Sequence, residues 1–222
     1  MDRVSVKDLS QRIAQYDLFG PQAQNLLQQL GIQAPALNQV SDAEIAGKRL
    51  RILALEKSFG PGYRLILTAS DGETVEAALR QNGALCLSAD SFEALRVETG
   101  QPQADKELSE EYTPLEAGLF SAIADGKGCY TGQEIIARQL TYDKVTQQLC
   151  GLRLSELTPA GERIYAEGKP AGTLTSFAHS PRFGPIALAI LKRPYFQPGT
   201  QVALGNAASE SQAVVTALPF QA

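Results

Sequence analysis

The sequence predicts an α+β protein in two parts: a ferredoxin-like split βαβ region, followed by a small antiparallel β-barrel. Two observations carry this. Between residues 13 and 87 the patterns run in the order β-α-β-β-α-β, which is that of a split βαβ unit. After Asp143 the texture changes to short alternating strands separated by Gly/Pro turns, as in a small all-β barrel. The domains are therefore placed at 1–143 and 144–222.

In chain order, Val4 and Val6 alternate with polar neighbours, a weak strand signal. Residues 13–19 form a second strand candidate, stopped by Gly20-Pro21, with Pro21 suited to the first helical position. Ala23, Leu26, Leu27 and Leu30 follow at i, i+3, i+4, i+7. They define one apolar helical face, closed by Gly31 just past the helix end. Residues 32–48 read as a connection. Residues 50–55 and 63–68 are strand-like, joined through a type II turn at 59–62. Ser70 and Glu73 are spaced as a capping box, opening a helix with Val75, Ala78 and Leu79 inside and Gly83 at its end. Residues 84–87 complete the pattern as a strand.

Residues 107–112 read as a charged, solvated loop. Thr113 and Glu116 repeat the T-x-x-E spacing with Pro114 at the first helical position. In the second part, strands are predicted at 149–154, 172–176, 186–191 and 213–218, with turns at Pro159-Ala160-Gly161 and Pro198-Gly199. Cys86 and Cys150 fall in strand-like runs and read as core.

The most informative stretch is Lys127-Gly128-Cys129-Tyr130-Thr131-Gly132-Gln133-Glu134. Thr131 and Glu134 have capping-box spacing, and Ile135-Ile136-Ala137-Arg138 suits a short helix. Cys129 would precede the N-cap by two residues, beside Lys127. A helix N-terminus and a nearby ammonium both favour thiolate, so the spacing predicts a lowered cysteine pKa. Gly128 and Gly132 allow positive φ or close backbone approach around the sulfur. Cys129 and Lys127 are thus the candidate reactive pair, and the alternative reading of Cys129 is a small buried core residue.

This octapeptide resembles the signature of the YgfZ family of folate-binding proteins, relatives of the glycine cleavage T-protein (aminomethyltransferase). The resemblance extends to the segment ending Leu95-Arg96-Val97-Glu98-Thr99-Gly100, to residues 113–119, and to 171–189 in the barrel. It implies that the first domain is of the folate-binding type and amino-terminally incomplete, because the family carries a longer segment ahead of this start. It implies tetrahydrofolate or a derivative as cofactor, with Arg96, Tyr130, Gln133 and Glu134 as cofactor-binding candidates and Gly128 and Gly132 shaping the loop. Arg96 has a competing reading as a salt bridge to Glu93 or Glu98. His179 is open between a proton shuttle and a hydrogen-bonding loop residue. At Arg64 the aminomethyltransferases tend to carry a glutamate that contacts the pterin. A guanidinium has no acceptor and cannot replace that carboxylate, which points away from methylamine transfer and weakens folate binding in the T-protein manner.

The resemblance thus implies a folate-binding accessory protein that supports assembly or repair of iron–sulfur clusters through Cys129. The expected partners are iron–sulfur proteins or their assembly machinery. Two other readings stay open: a folate-dependent one-carbon transferase, and an inactive short binding module.

Composition bounds these readings. The net charge of −4 argues against a broad nucleic-acid footprint. Three cysteines without a close pair do not form a disulfide framework. One histidine excludes a multi-His metal site within the chain, and three thiols are too few to hold a cluster alone. No signal peptide or membrane-length apolar span is read, so the expectation is a cytoplasmic, reducing location without membrane association.

Overall fold

The computed structural model describes residues 3–55, 60–124, 126–142, 144–156, 162–205 and 211–221. They form two compact units that divide after Leu87.

In the first unit, β1 (Ile13–Phe19) leads to α1 (Ala23–Gln29), then β2 (Val40–Ile45), β3 (Lys48–Leu55), β4 (Gly62–Thr68) and α2 (Gly72–Gln81). The observed order is therefore β-α-β-β-β-α. The four strands form one sheet in the order β1-β4-β3-β2, every neighbouring pair antiparallel. Helix α1 buries Ala23, Leu26 and Leu27. It starts two residues after Pro21, with Gln22 as N-cap. It ends as expected at Gly31, φ +74°, with the Gly31 and Ile32 amides donating to Gln28 O and Leu27 O. That pair of bonds is the Schellman closure. Leu27, Ile52, Leu65 and Val75 are fully enclosed between the sheet and its helices.

Three local expectations are corrected. Residues 3–9 form no strand, and Val4 and Val6 are exposed. Residues 84–87 also form no strand. Helix α2 closes through Gly83 N–H to Arg80 O and Ala84 N–H to Leu79 O, after which Leu85 projects into solvent at 90% exposure. The strand missing there is found instead as β2, within the stretch read as a connection. Its inward face offers only Ser41, Ala43 and Ile45, too little apolar surface to betray a strand. Its hairpin to β3 has a two-residue loop, Ala46-Gly47, both residues at positive φ, as a type I′ turn requires. The 59–62 turn lies partly outside the described residues.

In the second unit, α3 (Ala89–Thr99) and α4 (Gln133–Thr141) precede β5 (Gln147–Leu154), β6 (Arg163–Ala166), β7 (Lys169–Ser180), β8 (Gly184–Lys192), β9 (Gln201–Leu204) and β10 (Ser211–Thr216). These six strands close into an antiparallel barrel in the order β10-β5-β8-β7-β6-β9. Closure leaves no unpaired sheet edge. Leu152, Ile164, Leu174, Leu191, Val202 and Val215 fill its interior. Helix α3 is capped by Ser88, whose Oγ accepts from the Ser91 amide, and packs on β7 and β8 through Ala94 and Val97. That packing is why the compact unit holding the barrel begins at Ser88 rather than at 144.

The four predicted barrel strands are present. β6 and β9 were not foreseen, because each is four residues long and shows only two inward apolar side chains. The β6–β7 hairpin again hides its turn, Glu167-Gly168, with φ +51° and +73°. The turn expected at 159–161 lies outside the described residues. Among the described residues, no helix is long and apolar enough to cross a membrane.

Candidate functional site

The loop carrying Cys129 enters α4. Its geometry differs from the expected capping box. Gly132, at φ +90°, is the N-cap, and no side chain caps the helix. With the N-cap one residue later than expected, Glu134 occupies the second helical position and cannot close the box onto Thr131. Glu134 turns instead to Arg138, one helical turn on, at 2.6 Å. Both partners are largely exposed, so the pair contributes little. The Ser70/Glu73 box also fails to form, since Asp71 is the N-cap of α2 and its side chain makes no cap bond. At Thr113 and Glu116 the reciprocal box does form: the Thr113 amide donates to Glu116 Oε2 at 2.9 Å and the Glu116 amide to Thr113 Oγ1 at 3.3 Å.

Cys129 is an exposed free thiol, which removes the buried-core reading. Lys127 Nζ stands 4.8 Å above the Tyr130 ring in a cation–π contact. Among the described residues no hydrogen bond or ion pair reaches Cys129 Sγ. The loop thus presents an accessible sulfur and, two residues before it in sequence, an ammonium held on an aromatic ring. Tyr130 and Gln133 are half-buried, whereas Gly128, Thr131 and Glu134 are exposed.

Arg96 lies elsewhere in this unit, buried at 4% exposure. Its Nε and one Nη bond to the two oxygens of Glu93 at 2.8 and 2.7 Å. Its remaining donors reach Gln101 O, Glu107 Oε2 and Ser176 Oγ. All five guanidinium N–H groups are therefore met by the protein. The expected salt bridge to Glu93 is present, with Arg96 buried and Glu93 partly buried rather than both exposed.

Glu107, read from the sequence as part of a solvated loop, has no exposed surface. Its Oε1 accepts from Thr175 and Ser176 at 2.6 Å each, and its Oε2 from Arg96 and the Gln103 amide. Glu107 and Ser176 were missed. The available signal was weak: β7 mixes apolar and hydroxyl residues, so Ser176 at a buried position does not stand out in its sequence.

In the first unit, Arg64 on β4 forms a bidentate pair with Asp17, its cross-strand neighbour on β1, at 2.8 and 2.9 Å. His179 is exposed on β7 opposite Pro185, in a strand rather than a loop. Cys86 is exposed, correcting its assignment to the core. Cys150 is buried as expected, and desolvation pushes its thiol up to about 12. No group of three or more His, Cys, Asp or Glu among the described residues is placed to hold a metal ion.

An α+β chain ending in a closed six-stranded antiparallel barrel is the class this architecture defines. The family model for the GCVT N-terminal domain matches residues 1–127, and that for the glycine cleavage T-protein C-terminal barrel domain matches 147–221. The chain belongs to the glycine cleavage T-protein family. It is 30% identical over 225 residues to At1g60990 of Arabidopsis thaliana, a chloroplastic protein named only provisionally as a transferase. That match covers 100% of this chain and 51% of the plant protein. An aminomethyltransferase of Thermus thermophilus is 31% identical over 98% of this chain and 62% of its own length. The glycine cleavage system aminomethyltransferase T of Bartonella henselae shares the fold, with a TM-score of 0.80 at 20% identity. It is matched over 94% of this chain and 60% of that one. The chain thus spans about half to three-fifths of the length of these relatives. Residues 128–146, which hold Cys129 and α4, fall between the two matched segments.

Proposed function

We propose that this chain is a folate-binding accessory protein of the YgfZ type, supporting assembly or repair of iron–sulfur clusters through Cys129. One observation carries the reading: Cys129 is a solvent-exposed thiol on the loop leading into α4, within the octapeptide that resembles that family's signature. An exposed sulfur can ligate iron of a client's cluster, or attack a client disulfide to form a mixed disulfide while the client's other sulfur leaves as a thiol. A single cysteine supplies one of the four ligands a cluster takes, so the client or its assembly machinery supplies the rest.

The fit to a folate is partial. Arg96 has no donor left for one, and a contact there would require opening the Glu93–Glu107–Ser176 network. Glu134 is engaged with Arg138. Tyr130 and Gln133 remain as the residues by which this chain would hold the cofactor, whose one-carbon unit would supply the chemistry.

Genetic rescue tests the reading. Cys129→Ser should abolish rescue of a strain lacking its native YgfZ-type factor, and Cys86→Ser should preserve it. Both cysteines are exposed, so the contrast separates position from mere accessibility. Equal effects from the two changes defeat the proposal. Tetrahydrofolate should also raise the melting temperature, as only a ligand of the native state can.

The second reading, aminomethyl transfer, draws on the similarity to the Thermus aminomethyltransferase. Arg64 opposes it, because its guanidinium is clamped to Asp17 where the transferases tend to place a carboxylate. Formation of methylene-tetrahydrofolate from an aminomethyl-loaded carrier protein would establish it, and none at saturating folate removes it.

A further inference from the structure

The sheet of the first unit ends on β2, which pairs with β3 alone. Successive residues of an antiparallel strand turn their main-chain groups alternately toward the partner and away from it. Ile45 and Lys48 flank the two-residue loop and face each other. Ala43 and Ser41 share that orientation, so the amides and carbonyls of Asp42 and Glu44 point away from β3. Among the described residues, no protein group meets them there. A cleft of about 590 Å³ runs beside this edge, between residues 30–36 and residues 41–44. None of its lining residues belongs to β3, so it opens on the free side of β2.

The exposed face of the two strands sets what fits at the edge. Arg51 stands opposite Asp42 and Arg49 opposite Glu44, so a basic row on β3 borders an acidic row on β2. Asp42 meets Arg51 only at 3.6 Å, with both side chains mostly in solvent, a contact worth little. Glu44 has no ion-pair partner among the described residues. The cleft lining holds these two carboxylates and no cation. A second copy adding its own β2 antiparallel to this stretch would set carboxylate against carboxylate, which destabilises a sheet. A strand with cations at alternate positions extends the basic–acidic alternation by one more row.

We infer that the free edge of β2 docks an extended segment of a partner protein carrying Lys or Arg at every second position. The segment lies antiparallel to β2 as a further strand of the sheet. Main-chain bonds to Asp42 and Glu44 supply affinity, and cations opposite the two carboxylates fix the register. The intervening side chains turn to the face of Ala43, where small apolar groups suit. The inference goes beyond the folate and iron–sulfur reading and does not depend on it: the edge belongs to the first unit and Cys129 to the second.

The test titrates the full chain into a fluorescent, end-blocked peptide in which Lys and Val alternate, read by anisotropy at low ionic strength. Saturable binding is expected. An isomer with its lysines grouped ahead of its valines should bind more weakly, because only alternation puts every cation on one face. N-methylation of the lysine amides, which face β2 in the antiparallel register, should abolish binding. The double variant Asp42→Lys/Glu44→Lys should lose affinity roughly tenfold, as two attractive cross-strand pairs become repulsive. The same variant should gain binding of a peptide alternating Glu and Val. The neutral pair Asp42→Asn/Glu44→Gln adds no repulsion toward Arg49 and Arg51 and should show a smaller loss in the same direction. Absence of binding at millimolar peptide overturns the inference. So does equal binding of the grouped or N-methylated peptide, or unchanged affinity in both double variants. Loss of Cys129-dependent rescue would leave all of these outcomes unchanged.

Discussion

Arg96 and Glu107 form an ion pair at 3.2 Å in which the partners retain 4% and 0% side-chain exposure. The pair is saturated on both sides. Every guanidinium donor and all four carboxylate lone-pair positions are used, linking α3 and the 101–107 segment to β7. A buried pair is worth most as a whole, because removing one member strands the other's charge. Glu107→Leu or Arg96→Met alone should therefore destabilise by about 3 kcal/mol or more. The double replacement should cost clearly less than the sum of the singles. Urea unfolding of the four proteins measures this, and strictly additive losses would show that the two groups are not coupled.

Acid should weaken the same region at a definable pH. The hydrogen bond from Arg96, helped by Lys106, holds the Glu93 carboxyl at about 2, against an ordinary value of 4.5. Between those limits the unfolded chain takes up a proton that the native protein refuses. Glu93 thus contributes its full stability above pH 4.5 and loses it as pH falls toward 2. Unfolding midpoints across this window should fall less steeply for Glu93→Gln than for wild type.

Thiol chemistry should divide the cysteines two to one. Cys86 and Cys129 are exposed, and Cys150 is buried with its thiol pushed up to about 12. Alkylation of the native protein at pH 8, read by intact mass, should stop at two additions, and urea should release the third. Rapid triple labelling under native conditions would contradict the buried position of Cys150.

Two glycines should respond to alanine for different reasons and to different extents. A Cβ on Gly172 would collide with the Ile190 carbonyl oxygen across the β7–β8 pair. Gly172→Ala should cost about 1–3 kcal/mol or prevent barrel closure. At Gly132 a Cβ meets nothing within 4 Å, and only the φ of +90° penalises it. Gly132→Ala should leave the fold intact, cost about 1 kcal/mol, and shift the entry to α4. Thermal melts with circular dichroism distinguish the two.

At Arg64, replacement by glutamate would set two carboxylates opposite each other on β1 and β4, since Asp17 is the cross-strand neighbour. Like charges directly opposed destabilise a sheet, here by about 1 kcal/mol. Adding Asp17→Asn should recover most of that loss in urea melts.

Periodicity alone determined the two-part α+β plan, the apolar face of α1, its end at Gly31, and four of the six barrel strands. These are local properties, set by which side chains must leave water and by where a glycine must adopt positive φ. The octapeptide around Cys129 was likewise legible, because its residues are contiguous. Tertiary structure decided the rest. β2, β6 and β9 exist because a neighbour pairs with them, not because their own few apolar residues demand it. Glu107 looks like any charged loop residue until Arg96, Thr175 and Ser176 arrive from other elements to satisfy it. Lys144 and Lys192 come to line one cleft through the β5–β8 register. The T-x-x-E spacing recurs near Thr113 and Thr131 but makes a box only at the first, because Gly132 takes the cap position from Thr131. Hydrogen bonds and charges act across space, and a linear pattern records them only where the partners are also neighbours along the chain.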